Sequence, residues 1–194
     1  MLTKMTDATV EPVTLDEAKA HLRVTDNAED AYISALIMAA RLEAENRLQR
    51  TLIETTYRVT IDDFPDEVEL PMPRVLAVSE VRYVDVAGAE QVFAPASYSL
   101  DNVREPGWLV PVFGGTWPAT RDQINAVRVT YTAGYLAGGS DPQKRAAVPM
   151  PIRQWILLCV GQMYELRERT VTGMVVHELK FADALLDTYR VITL

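Results

Sequence analysis

Residues 30–61 read DAYISALIMAARLEAENRLQRTLIETTYRVTI, and the hydrophobic period changes inside this stretch. Ile33, Leu36, Ile37, Ala40, Ala44 and Leu48 recur at steps of three and four, one face of a long helix. Glu43 and Arg47 are spaced to pair on the opposite face. Running to about Arg50, the helix is expected to be about 35 Å long at 1.5 Å per residue. From Thr55 the period drops to two: Tyr57, Val59 and Ile61 alternate with Thr56, Arg58 and Thr60, as in a half-buried strand.

Working outward toward the N-terminus, Thr14-Leu15-Asp16-Glu17 is a capping box, which predicts a short helix through Ala18, Ala20 and Leu22. A second helix start is expected at Asp26-Asn27, with Glu29 and Asp30 favoured by the helix dipole. Toward the C-terminus, further strands are expected at 68–70, 78–86, 91–93, 98–100, 108–113 and 127–131. Turn formers such as Phe64-Pro65-Asp66, Glu105-Pro106-Gly107 and Gly114-Gly115 separate them. Short strands with no helix between them predict an antiparallel meander or small barrel. The helical period returns after Pro149 and Pro151 as the stripe Ile152, Trp155, Ile156, Cys159, Met163 and Leu166, and a last helix is expected from Ala182 to Tyr189. The expected fold is therefore α+β. A helical core from both chain ends (1–54 and 145–194) carries an inserted antiparallel β module (55–144).

Composition narrows function. The chain has 194 residues, 48% hydrophobic and 24% charged, ordinary globular values. A chain of this length buries roughly 70% of its unfolded surface without staples. Its one cysteine, Cys159, allows no internal disulfide and no zinc cage, and sits in an apolar run as an inert thiol. Nineteen basic against 27 acidic residues give a net charge of −8, the wrong sign for gripping nucleic acid. The longest apolar run, Trp155 to Val160, is too short to span a bilayer, and no signal peptide is evident, so the protein is expected to be made and kept in a cytoplasm or to leave only inside a particle.

No catalytic set emerges. His177 opens His-Glu-Leu-Lys-Phe, but Phe181 stands where a zinc-protease helix needs its second histidine. The pairs Gly114-Gly115 and Gly138-Gly139 continue into no phosphate-binding motif, and no nucleophile elbow exists. The acidic cluster Asp62, Asp63, Asp66, Glu67 and Glu69 is the remaining candidate for metal-dependent chemistry, although it lacks the spacing of a calcium loop. A solvated turn is the competing reading, and the expected catalytic, cofactor and metal sets are empty.

Several separated segments resemble one family, the head–tail connector (adaptor) proteins of long-tailed phages and prophages, in its longer, β-containing branch. Glu11 to Val24 is similar to that family's first helix, and Asp30 to Ile37 with Ala39-Ala40-Arg41 and Glu45 to its second. Val68 to Pro73 and Gly114-Gly115-Thr116-Trp117-Pro118 resemble its β-region turns. Val127 to Tyr135, Val148-Pro149, Tyr164 to Glu168 and Ala184 to Arg190 complete the set.

The resemblance implies a homo-oligomeric ring of twelve subunits in the virion neck, assembled in the bacterial cytoplasm. Its implied partners are the portal protein and the next neck or stopper protein, with DNA passing through the lumen without specific binding. No cofactor and no membrane are involved. Another phage assembly or tail-completion protein is the alternative. The apolar C-terminal segment, from Val171 to Leu194, is expected to carry a docking surface for the portal or the adjoining subunit through Met174, Phe181, Leu185, Leu186 and Tyr189. The opposing reading is that this tail folds back over its own helices.

Overall fold

The computed structural model describes residues 1–167 and 180–191, Lys180 and Phe181 by backbone alone. In chain order these residues form β1 (Leu2–Lys4), α1 (Leu15–Leu22), α2 (Asp30–Leu48), β2 (Thr55–Ile61), β3 (Val68–Leu70), β4 (Val75–Val84) and β5 (Glu90–Val92). There follow β6 (Tyr98–Asp101), β7 (Gly107–Pro111), β8 (Val127–Ala133), α3 (Asp141–Ala147), α4 (Met150–Glu165) and α5 (Lys180–Asp187). The expected α+β class is the class found.

Local chemistry sets the helix ends. The Thr14 capping box is formed: the Glu17 N–H donates to Thr14 Oγ1 at 3.1 Å and the Thr14 N–H to Glu17 Oε2 at 2.8 Å. Both α1 and α2 stop on a left-handed residue, Arg23 and Gln49, whose N–H turns back onto the last turn. The second helix starts later than expected. Asp26 accepts from the Ala28 N–H at 2.9 Å, closing a local turn instead of capping, and α2 begins at Asp30. A further helix, α3, was not expected. Its signal was Ser140-Asp141-Pro142-Gln143, where the Ser140 N–H donates to Gln143 Oε1 at 2.9 Å.

Side chains bury into two clusters. In one, α2 packs on α4, with α1 and α5 flanking, and Ile33, Ile37, Leu48, Ile152, Trp155 and Ile156 are all 2% exposed or less. The other lies between two sheets, with Val68 and Leu70 of β3 and Leu109 of β7 facing Val81, Val129 and Tyr131. Phe64 stacks on Trp117 at 4.6 Å at one end of this second cluster, so two loops close it.

Neither sheet is a meander in chain order. The larger is β1-β2-β8-β4-β5 and the smaller β3-β7-β6, with every pairing antiparallel. Strand β8 is central, its side chains alternating buried and half-buried from Val127 to Ala133, which is why it reads so cleanly as a strand. The expected division at residue 54 is crossed by β1, whose Leu2 to Lys4 pair with Val59 to Tyr57. Where β8 ends, Gly134 takes a φ of +148°, and a Cβ there would stand 2.8 Å from the Glu54 nitrogen. Only glycine lets the sheet pass this close to the link out of α2.

Candidate interaction surfaces

A core charge network fixes the helical cluster to its surroundings. Arg41, 4% exposed, donates from Nε to Glu11 Oε2 at 2.7 Å and from Nη1 to Glu45 Oε2 at 2.8 Å. Glu45 also accepts the Leu52 N–H at 3.0 Å. Burial works against the Arg41 charge, but the bonds to Glu11 and the charges of both carboxylates outweigh it and hold the guanidinium protonated. Across the domain-like seam, Arg50 makes a two-pronged ion pair with Glu105, and its Nε donates to the Tyr189 carbonyl at 3.0 Å.

The C-terminal segment is tied to this frame. Leu186 is 5% exposed inside the helical cluster, and Leu185 and Tyr189 pack partly buried against it. Trp155 donates its indole N–H to Asp183 at 3.2 Å, Arg47 reaches the same carboxylate at 3.0 Å, and the Val191 N–H meets the Leu48 carbonyl at 3.0 Å. Leu186 is thus a residue of the subunit's own core. Met174 lies outside the described residues, as does the side chain of Phe181.

The acidic candidates do not converge. Asp62 accepts the Asn125 N–H at 2.8 Å, the Asp66 carbonyl accepts from Trp117 Nε1 at 3.2 Å, and Glu67 lies 3.5 Å from Arg104. Among the described residues no three His, Cys, Asp or Glu side chains gather as a metal would need. His21 is exposed beside Gly161, and His177 lies outside the described residues. The Gly138 N–H is used by Glu54 Oε2 at 3.0 Å, which removes it from any anion cradle. Burial pushes the Cys159 thiol up to about 11, so it stays protonated and unreactive.

Two outward surfaces stand out among the described residues. The open face of the larger sheet pairs its charges internally: Arg82 meets Glu80 at 2.7 Å and Glu90 at 2.9 Å, while Arg128 meets Glu90 at 3.0 Å. The second surface is helical. Tyr32 sits beside Tyr164 at 6.2 Å and Arg47 over Trp155 at 5.4 Å, so α2 and α4 run antiparallel. Between them a groove is lined by Ala39 and Arg47 on one side and by Trp155, Cys159 and Met163 on the other.

Residues 12–82, from α1 into β4, match the family model described as phage gp6-like head-tail connector protein. This segment is similar to the head–tail connector family. The whole chain resembles a chain in the neck of an empty gene transfer agent (GTA) particle computed with C6 symmetry, at 25% identity and a TM-score of 0.79. It also resembles a chain of the virion of the native GTA particle, at 26% identity and a TM-score of 0.78. A third likeness is to the neck of the native GTA particle computed with C12 symmetry, at 27% identity and a TM-score of 0.68. Each match covers 100% of this chain and 97% of the other. No curated protein sequence matches the chain. The connector match stops before α4, yet α2 buries its apolar face on α4, so the matched segment and the unmatched end share one core.

Proposed function

We propose that this chain is a neck adaptor, a structural subunit that assembles as a ring beneath the portal and joins head to tail. The observation that carries this reading is the likeness over its full length, at 25% identity, to a chain of a GTA particle neck. The symmetric necks of these similar structures support a ring, and we take twelve copies as its number in the particle. The portal on one side and the next neck or stopper protein on the other are the partners we infer, with assembly in the bacterial cytoplasm. DNA would pass through the lumen without specific binding. A net charge of −8 suits that role, since an acidic wall repels a phosphate backbone.

For docking to the portal or the adjoining subunit the candidates are Met174, Phe181, Leu185 and Tyr189, whereas Leu186 is 5% exposed within the subunit's own core. The role is structural, in keeping with a family of connectors. Deleting the chain from a producing cell should leave filled heads and separate tails, and the full-length chain should restore joined particles. Joined particles in its absence would overturn the proposal.

A further inference from the structure

A guanidinium is planar, always charged and carries its donors in a fixed fork, so one arginine can hold two partners that do not touch each other. Arg50 does this just past the end of α2, at 6% exposure. Its Nη1 donates to Glu105 Oε1 at 2.8 Å and its Nη2 to Glu105 Oε2, in the exposed loop between β6 and β7. Its Nε donates to the Tyr189 carbonyl at 3.0 Å, in the stretch after α5. Two residues on, the Val191 N–H donates to the Leu48 carbonyl at 3.0 Å and lays the chain across the end of α2. The Tyr135 ring lines the same place, its centre 5.9 Å from the guanidinium carbon of Arg50 and 5.8 Å from that of Arg74. Among the described residues no hydrogen bond or ion pair joins 180–191 directly to the strands or their loops, and the polar path between them runs through Arg50.

When the C-terminal stretch lifts from α2, Arg50 Nε loses its acceptor in a place that water scarcely reaches, and a buried donor left unpaired costs free energy. The side chain must then turn toward another acceptor, and that turn breaks the two-pronged match with the Glu105 carboxylate. The reverse holds as well, because a coupling free energy between two sites acts equally in both directions. We propose that Arg50 is a coupling residue, which ties the seating of the C-terminal stretch on α2 to the conformation of the 102–106 loop of the β module. A partner that engages the C-terminal stretch would thereby be felt at that loop. This consequence rests on the docking reading above, whereas the coupling itself belongs to the single subunit.

The test is amide hydrogen exchange on the full-length chain, which reads local opening segment by segment. Glu105→Gln keeps an oxygen for one donor but loses the two-pronged pair. It should raise exchange at the Val191 N–H by about fivefold or more, although no hydrogen bond joins those two residues. Asp183→Asn weakens the hold of Arg47 and Trp155 on α5, and should raise exchange at the Val103 and Arg104 N–H groups, which donate to Asp101. Neither change should add to exchange in an Arg50→Lys background, where a single ammonium cannot replace the fork. Amides at the centre of α2, around Ile37, should keep the wild-type rate throughout. Responses that persist in the Arg50→Lys background, or that spread equally to Ile37, would overturn the coupling, as would an unchanged Val191 rate in Glu105→Gln. None of these outcomes touches the neck reading, which stands or falls with the joining of heads to tails in the deletion experiment.

Discussion

Arg50, at the end of the helical cluster, closes on Glu105, in the loop before β7, with both guanidinium Nη atoms engaged and Nη1 to Oε1 at 2.8 Å. The arginine side chain is 8% exposed and the glutamate 31%. Removing one partner from a pair this deep leaves an uncompensated charge, which costs more than the pair contributes. Arg50→Ala is expected to destabilise by about 2–4 kcal/mol, below the fully buried range because Glu105 keeps some water. Urea unfolding measures it, and a double cycle with Glu105→Ala should show strong non-additivity.

Trp155 fills the centre of the helical cluster at 2% exposure and donates its N–H to Asp183. Trp155→Ala should cost about 3–5 kcal/mol, the range for emptying a large core site. A loss below about 1 kcal/mol in thermal or chemical unfolding would contradict this burial.

Acid should loosen the docking of α1 on α4. Burial tends to raise the Glu17 carboxyl, but the Thr14 N–H and the Arg153 guanidinium together bring it below its ordinary 4.5. A lowered folded-state value means that the contribution is present above pH 4.5 and fades as pH falls through the folded value. The melting-temperature gap between wild type and Glu17→Gln should therefore be widest near neutrality and shrink toward pH 3. A gap constant across that range would show that the charge plays no part.

The acidic turn should behave as a solvated turn. Calcium or magnesium is expected to leave the melting temperature where it is, because a ligand that binds only the folded state must raise it. Asp66→Asn should be nearly neutral, and Asp62→Asn should lose little, since an amide oxygen can still accept the Asn125 N–H. A saturable shift with either ion would revive a metal site.

Much of this fold was legible in the sequence, and the gaps have physical causes. The apolar steps at Ile33, Ile37, Ala40, Ala44 and Leu48 all mark buried positions, because a helix core face repeats within one segment. Glu43 and Arg47 do pair on the exposed side, at 2.7 Å. Arg41 and Glu45 have the same spacing and are buried, a difference made by distant groups, Glu11 and the Leu52 N–H, which spacing cannot show. Strand β4 starts at Val75, ahead of the expected 78, since irregular pairing between Val75 and Glu80 breaks the alternation that marks a strand. Strand β1 carries no period in its three residues, and only its pairing with β2 defines it.

The central place of β8 sets the order in which this protein can be made. Both β2 and β4 find a partner in it, at Thr55↔Ala133 and Val75↔Ala133, some 60 to 80 residues further along the chain. On the other side, α2 waits for α4 to cover its apolar face. A growing chain that has emerged only through residue 82, the end of the connector match, would therefore hold β3 and β4 without partners, β2 paired on one edge alone with β1, and an uncovered helix. Contacts this distant in sequence slow folding and leave nascent surfaces open to wrong partners. Neither core can close until most of the chain has left the ribosome, so each subunit is expected to complete itself late in synthesis, and truncated products should aggregate rather than fold.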